Sequence, residues 1–233
     1  MIKSLRWLCV FVLCGFLFAI MIGKNSLRHI SYEEYISTYK YFPTPVAEVR
    51  KTFIDLDDIF IKRKDVKSLN DLMERTDYVL RIKISDEPIF WGNGIINQTE
   101  VLEVLKAADN NINIGDSVKI YDLISTWQGD YVNYYGGMTP LNKKYEYIVF
   151  VKKAPRPNME NTYIFSSIEY GRFNISIKES NVLENYQMGS YTVKDIMEYD
   201  YVEIDCSTAY GYCEEYADDY TKMKEELLDF LAL

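Results

Sequence analysis

Between Thr126 and Gly137 the chain carries Trp127, Asp130, Tyr131, Tyr134 and Tyr135 among glycines and small polar residues. Aromatic rings held on a loop stack on sugars or anchor a protein partner, so these five residues form the candidate binding set; a loop folded back to cover one barrel end is the alternative. Asp130 with a neighbouring acid across a cleft would instead supply the two carboxylates of an envelope-polysaccharide hydrolase, and that is the competing chemistry. Other reactions find little support. The single histidine is His29, beside the apolar N-terminus, which removes Ser-His-Asp and Cys-His sites and the usual His-containing zinc sets. Asp109-Asn110-Asn111-Ile112-Asn113 begins like a calcium loop. However, Gly115 falls at the seventh position instead of the sixth, and Ile120 stands where a glutamate belongs, so the stretch reads as a turn. No metal and no cofactor are implied.

The cysteines and charges speak of location. Cys9 and Cys14 lie within the apolar N-terminus, whereas Cys206 and Cys213 bracket Ser-Thr-Ala-Tyr-Gly-Tyr. That spacing suits a hairpin disulfide in an oxidising compartment, with two free thiols as the alternative. The net charge of −9 is uneven: residues 1–23 carry Lys3 and Arg6 and no acid, and residues 179–233 hold fourteen acids against three lysines. The stretch between them is neutral. A neutral body with an acidic tail offers no basic field for phosphates, which argues against nucleic acid.

Trp7 to Gly23 is an uninterrupted uncharged, mostly apolar run behind a short basic start. As a helix it reaches about 26 Å, close to the roughly 30 Å hydrocarbon core. No small-residue cleavage site follows it, so the run reads as an uncleaved signal anchor in preference to a removed signal peptide, with the bulk of the chain outside the cytoplasm.

The elements that must position the candidate loop follow from periodicity. Ser31-Tyr32-Glu33-Glu34 is a capping box, and Tyr32, Tyr35 and Tyr39 at helical spacing predict a short helix, either interfacial or packed on the domain. Pro43-Thr44-Pro45 ends it and reads as a linker. Ser68 caps a second short helix with Leu69, Leu72 and Met73 inward. In Thr76–Ser85, Tyr78, Leu80, Ile82 and Ile84 alternate with Val79, Arg81, Lys83 and Ser85, a strand with one dry side. Further runs at Gln98–Ala107, Ser117–Ile124, Tyr145–Val151, Thr162–Ile168 and Gly171–Lys178 make six strands, the second bulged and Tyr145–Val151 central. Thr192 and Asp195 mark a helical turn and Tyr201–Ile204 a short strand. Tyr216, Tyr220, Met223, Leu227, Phe230 and Leu231 then form the stripe of an amphipathic helix. An aromatic content of 15 % with 21 Tyr and 6 Pro fits a packed domain.

Helix, Thr76–Arg81, Thr99–Lys106, Gly115–Ile120 and Lys144–Phe150, in that order, resemble the netrin-like module. This is the oligonucleotide/oligosaccharide-binding-type barrel of tissue inhibitors of metalloproteinases and of many bacterial surface proteins. The resemblance covers about residues 68–178 and implies a fold. The inhibitors place a free cysteine on the protease zinc; no cysteine precedes Thr76 here outside the apolar run, so no functional residue is carried over.

The expected architecture is mainly β: a small antiparallel barrel of the oligonucleotide/oligosaccharide-binding (netrin-like) type, with an N-terminal transmembrane helix and a C-terminal amphipathic helix. Its parts are an anchor (1–30), a juxtamembrane helix and linker (31–67), the barrel (68–178) and an acidic C-terminal element with a disulfide loop and helix (179–233). The expected role is a membrane-anchored extracytoplasmic binding module, held by residues 7–23 and facing an envelope protein or polysaccharide. An envelope hydrolase and an inhibitor of an extracellular protease are the alternatives.

Overall fold

In the computed structural model, which describes residues 31–44, 60–61, 65–91, 94–122, 126–128, 131–135, 138–155, 160–184, 186–187, 189–203 and 217–233, helix α1 (Tyr32–Thr38) and strand β1 (Lys40–Thr44) come first. The apolar run 7–23 and the cysteine loop lie outside these residues. Among the described residues no helix is long and apolar enough to cross a membrane. Tyr35 of α1 is 1 % exposed, so this tyrosine packs on the domain.

Helix α2 (Leu69–Arg75) starts where Ser68 accepts the Asp71 N–H at 3.3 Å and buries Leu69 and Leu72. It delivers the chain into β2 (Tyr78–Ile84). Tyr78, Leu80, Ile82 and Ile84 of β2 line the inside of a barrel, together with Val101, Val118, Ile120, Val149 and Val151. Each such side chain stabilises by roughly 1.5–3 kcal/mol on burial.

The ring is built from β2, β4 (Gly94–Ala107), β5 (Ser117–Asp122), β9 (Thr162–Phe165) and β8 (Glu146–Lys153). β2 pairs antiparallel with both β4 and β8, β4 with β5 and β8 with β9. Five strands therefore close on one another, and the fold is mainly β. The seam differs from the antiparallel expectation: β5 and β9 run parallel, with Ile120 beside Tyr163. β4 is bulged as its broken alternation implied, because the register against β2 skips Leu105 and Leu102. Those skips keep Val104 and Val101 opposite Leu80 and Ile82.

The sixth expected strand leaves the ring. Only Arg172–Asn174 is extended (β10), and it pairs with Tyr147–Val149. β8 is longer than β9, so its first half needs a different partner from its second. A short strand β3 (Ile89–Trp91) edges β4.

A second core lies on the outer face of β2 and β8, where Val79, Ile148 and Phe150 meet α2 and helix α4 (Ala217–Phe230). This is why Tyr147–Val151 is apolar on both faces. In α4, Tyr220 stacks between Phe173 (4.9 Å) and Tyr201 (5.4 Å). Tyr201 belongs to β12 (Tyr201–Val202), which pairs parallel with β11 (Val182–Leu183). Lys224 is fully buried on the same face, its ammonium 2.6 Å from Asp200. Phe230 departs from the expected stripe and is 55 % exposed; Leu228 takes the inward place.

Candidate functional site

The stretch read as a loop contains a hairpin of β6 (Thr126–Gln128) and β7 (Tyr131–Tyr135), with Trp127 opposite Val132 and Gln128 opposite Tyr131. β1 runs parallel along the other edge of β7, with Lys40 beside Tyr131 and Pro43 beside Tyr134. Side chains alternate between the two faces of a strand. Tyr41, Pro43, Val132 and Tyr134 share one face and are all buried; on the other, Asn133 is buried as well, Lys40 and Phe42 are half-buried and Tyr131 is 37 % exposed.

The structure thus divides the sequence candidates. Tyr131 stands on the open side. Tyr134 is wholly buried, stacked on Tyr41 at 5.5 Å, with its hydroxyl bonded to that of Tyr35. Trp127 takes the register position opposite Val132, and Tyr135 the position beside Thr44. Asp130, Cys206 and Cys213 lie outside the described residues.

A third stretch completes the surface around Tyr131. The Tyr41 N–H donates to the Tyr191 carbonyl at 3.1 Å, and the Val193 N–H to the Tyr39 carbonyl at 2.9 Å. The chain ahead of helix α3 (Val193–Ile196) therefore follows the remaining edge of β1. Just before, the Ser190 N–H donates to the Gln187 carbonyl at 3.1 Å, and Gly189 has φ +75°. That left-handed conformation is one glycine adopts without steric cost. The turn carries Tyr186 and Tyr191, whose rings stack at 5.6 Å and 29°. Tyr186 meets the edge of Tyr41 at 5.8 Å and donates its hydroxyl to the Tyr41 carbonyl. Burial pushes this phenol up to about 12; Tyr131 and Tyr191 add to the rise, and a backbone hydrogen bond from Gly189 opposes it.

Tyr131 meets Phe42 edge to face at 6.4 Å, and its hydroxyl reaches over Gly189. Phe42, Tyr131, Tyr186 and Tyr191 are therefore four half-buried or exposed rings gathered around one turn. Asp195 has Lys40 and Lys194 nearby, and its carboxyl is held below its ordinary value by Thr192, through side chain and backbone, and by those lysines. Thr192 and Asp195 form the capping box of α3.

Behind the sheet is a crevice of about 10 Å³ lined by Tyr32, Tyr35, Asn97, Asp122, Tyr134 and Met197 among others, room for about one water. Asp122 binds Arg172 at 2.7 Å, both almost fully buried. Burial works against the guanidinium charge, and Asp122, with Tyr134 and Tyr147 adding to it, more than offsets that penalty. The Arg172 guanidinium also lies 5.0 Å over the Phe165 ring. The pair ties β10 to the end of β5. Among the described residues no three His, Cys, Asp or Glu side chains converge to hold a metal ion.

Phe42, Tyr186 and Tyr191 escaped the sequence reading. A signal existed in the tyrosines flanking Gly189, but their meeting with Tyr131 depends on pairings between distant stretches. Compared with known proteins, the chain matches no family model and no curated sequence.

Proposed function

We propose that this chain is a membrane-anchored extracytoplasmic binding module of the cell envelope, and that the surface formed by Phe42, Tyr131, Tyr186 and Tyr191 is its contact face. The observation that carries the reading is the exposed Tyr131 ring, buttressed by Phe42 and set on a sheet whose other face is packed with Tyr41 and Tyr134. Rigid tyrosines present amphipathic area at small entropic cost, and exposed aromatics on a firm support are the usual energetic centres of recognition. The anchor at residues 7–23 and the Cys206–Cys213 disulfide belong to the same reading, supported by sequence.

For the body, the ring order supports an oligonucleotide/oligosaccharide-binding-type barrel of netrin-like kind. Barrel strands one, two, three, five and four follow one another, with the third and fifth parallel.

The test is photo-crosslinking in intact cells. A photoreactive phenylalanine analogue at position 131 of the full-length chain is expected to give a specific adduct. The same group at Ile114, which is 70 % exposed on a different loop, is expected to give none. Equal labelling at the two positions, or none at 131, removes the reading.

A further inference from the structure

The chemistry of this face also narrows what it holds. We infer, resting on the binding role just proposed, that the ligand is an uncharged saccharide stacked on Tyr131, with the Tyr186–Tyr191 pair as a second platform beside it.

Three observations carry this. The first is ring chemistry. Three of the four rings are phenols, so around Tyr131 these residues offer π-faces and hydroxyls together. Among the described residues the other large exposed apolar side chains, Ile89, Ile114, Phe230 and Leu233, lie in other parts of the chain. A protein interface has an apolar core rimmed by polar groups, whereas a sugar ring presents C–H faces to an aromatic and hydroxyls at its rim, which match a phenol's apolar body and polar tip.

The second observation is rigidity. Each ring is already fixed on one side: Tyr131 by Phe42 at 6.4 Å, Tyr191 by Tyr186 at 5.6 Å, and Tyr186 by its hydrogen bond to the Tyr41 carbonyl. Little side-chain freedom is left to lose, which suits a ligand whose individual contacts are weak.

The third is charge. Among the described residues, Asp195 lies with Lys40 and Lys194, so charges of both signs stand together beside the turn and neither an anionic polymer nor a cationic peptide meets a surface of one sign there. Lys40, in register beside Tyr131, remains a hydrogen-bond donor for a neutral hydroxyl.

The test is affinity electrophoresis of the detergent-solubilised full-length protein through gels containing a neutral β-glucan, xylan, mannan or a soluble N-acetylglucosamine polymer, with polygalacturonate as the charged control. Retardation by at least one neutral glycan and none by polygalacturonate is expected. Tyr131→Ala should weaken the retarding affinity by about tenfold or more, and Tyr131→Phe, which keeps the ring, by no more than about threefold. Circular dichroism and the denaturation midpoint confirm that both variants fold. Retardation unchanged by Tyr131→Ala overturns the inference. So does the absence of retardation by every neutral glycan: if position 131 then crosslinks to a polypeptide, the face binds protein and the binding role stands, and if it crosslinks to nothing, both fail.

Discussion

The Tyr131 hydroxyl lies 3.2 Å from the point a Cβ on Gly189 would occupy. Gly189 thus serves two needs at once, a left-handed backbone at φ +75° and open space beneath a phenol. Gly189→Ala is expected to cost about 1–2 kcal/mol through the backbone alone and also to displace Tyr131. Gly115 is the matched control: its φ is +87°, with nothing within 4 Å of its Cβ position. Gly115→Ala should lower the urea midpoint similarly yet leave glycan retardation untouched, whereas Gly189→Ala should reduce both. Equal retardation by the two variants would show that the turn does not set the Tyr131 ring.

The buried Asp122–Arg172 pair predicts strong coupling. Arg172→Met leaves a carboxylate buried without its cation and is expected to cost about 3–5 kcal/mol. Asp122→Leu combined with Arg172→Met should cost distinctly less than the two single changes added together. Chemical denaturation of the four proteins measures this, and additive single losses would argue against a coupled pair.

Acid should act at the far end of the barrel. The hydrogen bond from Lys153, 2.8 Å away, with smaller help from Tyr78 and Asn111, lowers the Asp109 carboxyl from 3.8 to about 2. A folded-state value below the unfolded one means that the contribution is complete above the ordinary carboxylate range. It is lost as pH falls from about 4 through about 2. A carbon-detected NMR titration should show Asp109 protonating near the lower value, and Lys153→Met should return it toward the ordinary one. A midpoint near 4 in the native protein would contradict the contact.

Cys206 and Cys213 should resist thiol labelling in the denatured, unreduced protein isolated from cells and label fully after reduction. Immediate labelling would remove the support they give to an extracytoplasmic location.

The barrel was legible where burial is one-sided or complete. Tyr78, Leu80, Ile82 and Ile84 announce a strand by alternation, and Tyr147–Val151 a central strand by being apolar on both sides. Ser68 and Thr192 marked helix starts because a cap is a local bond. The contact face was less legible. Pro43 suggested a linker, yet β1 forms because a strand at the margin of a sheet tolerates a residue without an N–H. The burial of Tyr134 beside the exposure of Tyr131 follows from alternation in β7, which becomes visible only once the hairpin is recognised. Lys224 was hidden within an apolar stripe because its partner Asp200 comes from another element.

The parallel seam between β5 and β9 also bears on how the molecule is made. Two parallel neighbours require a crossover, here the whole of residues 123–161, so ring closure is a late and non-local event of the slow kind. On the ribosome β2, β4 and β5 emerge first as an open meander; β8 covers its β2 margin when it arrives, and the β5 margin waits longer, for Thr162–Phe165. Such margins invite aggregation unless charge keeps them solvated. Lys119, exposed on β5, is the charged side chain that margin presents until β9 pairs with it.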